Sequence, residues 1–289
     1  MDEGKRLPFS IIMKKLAWFS LIIVSCLCLA VLFVFFKIPT AKKIRGCFKT
    51  EMYQVDLCPT SNQYTPLSRI SKYLQKAVVL TEDSTFFQHE GVDWESVEKS
   101  AKENLEKGAY KRGGSTITQQ LAKNLFLTKD KTLTRKFFEF LITMKIEKVL
   151  TKKEILERYL NVIEFGKNIY GVKAASAFYF RKSPSEISVV DAAFLAAILP
   201  NPVKYSQSFL KKDLSPFLRK RITKIIHDLY QYQRITQEEY DIAMNEFHSY
   251  LNPGGLEDSV SDLAPQLEDI TDPAAEEPEA EVLEDDFSN

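Results

Sequence analysis

GGSTITQQLAKN, residues 113–124, lies between EDSTFFQHEG at 82–91 and RKFFE at 135–139. Two glycines followed by Ser-Thr read as a helix start, with Ser115 or Thr116 as the cap. Downstream, Ile117, Leu121 and Leu125 recur every four residues and predict a core-facing stripe. Thr116, Gln120 and Asn124 form a second stripe with Lys123 beside it, so a hydroxyl, an amide and an ammonium share one face. Gly113 and Gly114 let the helix start approach a ligand closely, and free N–H groups there favour phosphate. An amphipathic helix behind a glycine turn produces the same pattern with no ligand at all. The G-x-x-x-x-G-K-[ST] nucleotide loop is absent.

Working outward, Glu82 follows the apolar run Ala77-Val78-Val79-Leu80. A carboxylate against apolar surface has a raised pKa and suits a general base; a helix-end carboxylate in water fits the same residues. Arg135 and Glu139 are one helical turn apart. A plain pair of this kind is worth only ~0.3–0.5 kcal/mol. The functional reading is that Arg135 and Lys136 bind a diphosphate while Glu139 orients them. The remaining chain reads as helix after helix. Asp93 caps a segment ending at Gly108, and capping boxes stand at Thr151–Glu154, Ser183–Glu186 and Thr236–Glu239, with another start at Ser215-Pro216. Strand signals are sparse, no internal repeat is evident, and the fold class is mainly α.

Residues 16–36 carry no charge, and as a helix such a run spans the ~30 Å hydrocarbon core of a bilayer. It is longer than a signal-peptide core and ends in Phe-Val-Phe-Phe, which favours an uncleaved anchor. Basic residues flank it on both sides, so charge alone does not orient it. The formal net charge is zero, but 13 of the 39 acidic residues and none of the 39 basic ones lie in 253–289, leaving +13 on residues 1–252. A cationic body suits an anionic partner, and solvated lysines on helix faces account for it equally. The acidic tail, 253–289, reads as disordered. Cys47 and Cys58 are 11 positions apart; they pair in an extracytoplasmic setting or remain free thiols. No cysteine or histidine spacing matches a zinc site, and no basic-aromatic module indicates nucleic acid.

The three central stretches, followed by ILERYLNVIEFGKNIYGVKAASAFYF at 155–180 and DAAFLAAILPNP at 191–202, resemble in order the five motifs of the family 51 peptidoglycan glycosyltransferases, in their monofunctional, membrane-anchored form. The resemblance covers about residues 65–207. It implies a lysozyme-like two-lobed glycosyltransferase domain at 65–252. A cytoplasmic N-terminus (1–15), a transmembrane helix (16–36) and a juxtamembrane linker (37–64) precede it in the bacterial inner membrane. It implies Glu82 as general base and Glu139 as support for the diphosphate-binding groups. Lys123, Arg135 and Lys136 correspond to basic positions near a lipid diphosphate. Ser115, Thr116, Gln120 and Asn124 correspond to cleft-lining positions. Asp83, Phe86 and His89 shape the site, with His89 structural rather than a proton shuttle, and Tyr159, Asn161, Gly166 and Gly171 support the cleft. Lipid II and lipid-linked glycan are the implied substrates, and cell-wall synthesis or division proteins are candidate partners. A divalent cation, Mg or Mn, assisting the diphosphate is a further implication, although no ligand cluster announces a fixed site. Asn168, where many relatives have glycine, tolerates left-handed backbone. The apolar residues 125–127 and 137–142 are candidates for the membrane-facing lobe or for the core.

Two other function classes fit parts of this pattern. A lytic enzyme acting on finished glycan shares the fold and a key glutamate but needs neither the cations nor the anchor. A non-catalytic membrane scaffold would not need Glu82 or Glu139. Ser96–Lys99 and Ser208–Lys211 match S-x-x-K, but no K-T-G follows either.

Overall fold

The computed structural model describes residues 9–107, 114–210 and 214–251. The predicted helix stop at Gly108, the first glycine of the 113–114 pair and the acidic tail lie outside them. The chain divides into two compact units, Met1–Thr40 and Ala41–Asn289. The first contains α1 (Phe9–Lys37), which is long and apolar enough to cross a membrane. Residues 18–29 of it are exposed throughout, as a lipid-facing helix requires.

The second unit begins with α2 (Ala41–Arg45) and a ribbon of β1 (Phe48–Lys49) and β2 (Asp56–Leu57). The strands are antiparallel, with Phe48 opposite Leu57, and a Cys47–Cys58 disulfide closes the ribbon. Residues 41–64, expected to be a linker, are thus part of this unit. Ile44 and Leu57 are fully buried, which fixes the segment on the domain.

There follow α3 (Lys72–Glu82), α4 (Trp94–Lys107), α5 (Ile117–Phe126), α6 (Leu133–Val149) and α7 (Lys152–Val162). A second ribbon pairs β3 (Glu164–Gly166) with β4 (Ile169–Tyr170) and leads into α8 (Gly171–Phe180). Asn168, in the turn, has φ 62°, the left-handed conformation that asparagine tolerates. The chain continues with α9 (Val189–Ile198), α10 (Pro202–Leu210), α11 (Pro216–Gln231) and α12 (Gln237–Leu251). The domain is mainly α, as expected.

The predicted caps mostly form. Thr151–Glu154 and Thr236–Glu239 make reciprocal boxes, Asp93 accepts from Ser96, and Ser215 caps α11. The Ser183–Glu186 box closes as well, but it opens only a three-residue 3₁₀ turn, because Ser188 starts α9 immediately afterwards.

The helices pack in two groups. Every residue of α9 is buried, and α3, α11 and α12 all contact it. Its alanines at 192, 193, 196 and 197 leave room for neighbouring helices, α10 among them, to approach closely. In the other group α5 lies against α6 and α7, and α8 against α7. Glu147 on α6 ties this group together, accepting from Thr118 at 2.6 Å and from Lys152 at 2.8 Å. Of the apolar residues with two readings, Leu125, Phe138 and Ile142 are core, whereas Phe137 is 52 % exposed.

Candidate active site

Glu82 is the last residue of α3, and Gln120 faces it from α5. The Gln120 Nε2 donates to Glu82 Oε2 at 2.9 Å, and its Oε1 accepts from the Tyr159 hydroxyl at 3.0 Å. Burial pushes the Glu82 carboxyl above its ordinary range; the Gln120 hydrogen bond and the charges of Arg221 and Lys123 pull it partly back. Tyr159 is buried, and burial raises its pKa so far that it stays a donor. Glu82 is therefore held in place and partly desolvated.

Asp83 and His89 support this arrangement. Asp83 Oδ2 accepts the Ile117 N–H at 2.9 Å, and Oδ1 lies 2.9 Å from His89 Nε2. His89 Nδ1 accepts the Gly91 N–H at 3.1 Å, so Nε2 carries the ring proton and donates it to Asp83. Both ring nitrogens are thus engaged within the domain. Phe86 is fully buried and contacts the imidazole edge-on.

At the start of α5 the structure differs from the sequence reading. Thr116 is the cap and is 3 % exposed; its hydroxyl donates to Gly91 O at 2.6 Å and accepts from the Gln119 N–H. It does not line a cleft. The Thr116 N–H is taken by Gln119 and the Ile117 N–H by Asp83. An internal carboxylate thus occupies the place predicted for a phosphate, because the same donors and the same helix dipole attract either anion.

The cations gather around Glu139, which is 3 % exposed. Arg135 Nη1 donates to its Oε2 at 2.7 Å, Lys136 Nζ to its Oε1, and Lys136 also reaches Ser115 Oγ at 3.3 Å. This exceeds a surface pair one helical turn apart: a buried carboxylate holds two cations in place. Lys123 lies within range of both glutamates. Burial lowers its pKa, which the Glu139 and Glu82 charges oppose and Arg135 and Lys136 reinforce. Asn124 is buried with its Oδ1 unpartnered among the described residues, as is Arg135 Nε.

The 155–180 segment buttresses the site. Asn161 holds residue 65 through both ends of its amide, accepting the Thr65 N–H at 2.8 Å and donating to Thr65 O at 2.9 Å. Gly171 has φ +76°, and a Cβ there would lie 2.4 Å from Asn161 O. At Gly166 an added Cβ would meet the Tyr179 hydroxyl at 2.5 Å.

Arg221, on α11, is the residue sequence reading missed. It acts on Glu82 electrostatically, and its Nε is buried without a partner among the described residues. In sequence it is one of several basic residues in LRKRITK, and no spacing distinguishes it.

A carboxylate of raised pKa therefore feels the charge of Lys123, which itself feels the ordered cation group around Glu139. The arrangement can take a proton at Glu82 and stabilise negative charge at Lys123, Arg135 and Lys136. A sequence model of the Transglycosylase family matches residues 50–229. A biosynthetic peptidoglycan transglycosylase of Aromatoleum aromaticum is 48 % identical over 148 residues, covering 51 % of this chain and 64 % of the relative. One of Chromobacterium violaceum is 49 % identical over 146 residues, covering 50 % and 64 %. One of Pasteurella multocida is 42 % identical over 186 residues, covering 64 % and 75 %. The matched region thus spans just under two thirds of the first two relatives. With the family model covering more than half of its length and its site residues inside that span, the chain belongs to the transglycosylase family.

Proposed function

We propose that the protein is a peptidoglycan glycosyltransferase that polymerises lipid II into β-1,4-linked glycan. Glu82 takes the proton from the 4-hydroxyl of the acceptor sugar. The freed oxygen attacks C1 of the lipid-linked donor glycan from the opposite face, inverting α to β. The bond from C1 to the diphosphate breaks, its electron pair stays with the diphosphate oxygen, and undecaprenyl diphosphate departs. That leaving group is already anionic and needs cations more than a proton. Lys123, Arg135 and Lys136 supply them, with Glu139 holding the last two in place.

The observation that carries this reading is the hydrogen bond of Gln120, on α5, to Glu82 at 2.9 Å, with Lys136 of the Glu139 cation group reaching Ser115, just before the same helix, at 3.3 Å. No group of three His, Cys, Asp or Glu side chains stands together among the described residues, so a divalent cation assisting the reaction would be held chiefly by the diphosphate itself. No step here runs through a metal. The anchor α1 would hold the domain at the membrane that carries the lipid substrate, with the N-terminus in the cytoplasm and the domain outside. The Cys47–Cys58 disulfide agrees with an oxidising, extracytoplasmic setting.

Labelled lipid II incubated with the full chain in detergent tests the proposal. Wild type is expected to form polymer, and Glu82→Gln to lose roughly 10²–10⁴-fold in rate. Absence of polymer from wild type, or cutting of finished glycan instead, would overturn it.

A further inference from the structure

We propose that the disulfide-closed hairpin 47–58 is a positioning clamp for the last turn of α5, and through it for Lys123 and Asn124. This rests on the function proposed above.

An α-helix ends with carbonyls that lack a partner within the helix. In α5 two of them are met by the hairpin turn: the Glu51 N–H donates to Leu125 O at 3.0 Å and the Met52 N–H to Asn124 O at 3.4 Å. The side chains repeat the attachment. Phe48 of β1 stacks on Phe126, centroids 5.2 Å apart, and Lys43 lies over both rings. Tyr53 anchors the far side of the turn. Its ring lies against that of Tyr170, centroids 4.9 Å apart, and under Lys129 at 5.0 Å. One short hairpin therefore joins the C-terminal end of α5 to the β3–β4 ribbon.

The hairpin cannot hold its shape through its ladder, which has only two residues per strand. Two-stranded ribbons are marginal in water even when longer. The Cys47–Cys58 bond closes the loop at its base and confines the turn. Thr50 assists from within: its side chain accepts the Val55 N–H at 3.0 Å and its backbone N–H donates to Val55 O at 2.8 Å. The end of α5 so defined carries Lys123, one turn beyond Gln120, which hydrogen-bonds Glu82 at 2.9 Å. A displacement of that turn moves a leaving-group cation relative to Glu82 while leaving the α9 core intact. Cys47, Cys58, Phe48 and Tyr53 are positioning residues on this account, since none touches the reacting atoms.

The experiment uses the full chain in detergent, oxidised and after dithiothreitol. The reagent breaks the bond by exchange, leaving two protein thiols and its own cyclic disulfide. Alkylation under denaturing conditions verifies the state, because Cys26 and Cys28 are free in both forms. Reduction is expected to lower kcat for lipid II polymerisation about tenfold or more, with a smaller change in KM. The thermal transition is expected to stay above the assay temperature, and reoxidation to restore the rate. Cys47→Ser with Cys58→Ser is expected to be slow and indifferent to dithiothreitol. Hydrogen exchange is expected to speed up at the amides of 124–127 on reduction, with α9 still protected. An unchanged rate in verified reduced protein overturns the clamp, and so does global unfolding, which would make the bond merely structural. If the oxidised protein makes no polymer, the functional reading fails, and exchange decides the clamp alone: unchanged protection at 124–127 overturns it.

Discussion

Gln120 uses both ends of its amide, donating to Glu82 and accepting from Tyr159. Its donation favours the carboxylate over the acid, so it opposes the burial that raises the Glu82 pKa. Replacing it with leucine removes that opposition and raises the pKa further. A general base works only when ionised, so activity is lost as pH falls through its pKa. The acidic limb of kcat/KM for Gln120→Leu is therefore expected at higher pH than in wild type, and a pH–rate profile checks it. At this scale the sequence announced the type of residue but not its partner. Gln120 was legible as a polar residue one turn from Thr116 and Asn124. That one of the three faces Glu82, one caps the helix and one is buried with an open acceptor depends on what lies opposite, and periodicity says nothing of that. Asp83 differs in the same way: it stands next to Glu82 in sequence yet serves the first turn of α5, 34 positions on.

Helix starts were readable because a cap is a local event, a side chain closing on a backbone three residues away. The boxes at Thr151, Ser183 and Thr236 form where the sequence places them. Helix ends and the two ribbons were not readable, since strands of two or three residues carry no alternation. Gly171 illustrates the boundary between the two cases. Glycine at that position signals a backbone need, and the need is twofold: φ +76° at the start of α8 and contact with Asn161 O. Gly171→Ala meets both obstacles and would displace Asn161 from residue 65. It is expected to lose about 2–3 kcal/mol of stability, measurable as a lowered thermal midpoint.

The described residues comprise an apolar helix and a second unit in which α9 is buried against α3, α10, α11 and α12. Because Ala41 onward forms its own compact unit, a variant lacking residues 1–40 is expected to keep its helical circular dichroism and cooperative melting. It is also expected to leave the membrane fraction, which vesicle flotation would show. The zero formal charge of the full sequence conceals a body of +13 and an acidic tail, and a total cannot reveal such a division. The sequence by itself determined the helical class, the apolar anchor, most helix starts and the set of polar residues at the site, because these follow from short-range spacing and side-chain chemistry. Tertiary structure alone decided that Asp83 fills the start of α5 and that Glu139 is buried between two cations. It alone set the charge of Arg221 on Glu82 and the hairpin 47–58 against the end of α5. Burial, charge and a carbonyl's partner are properties of whatever lies across the gap, and elements far apart in the chain supply that.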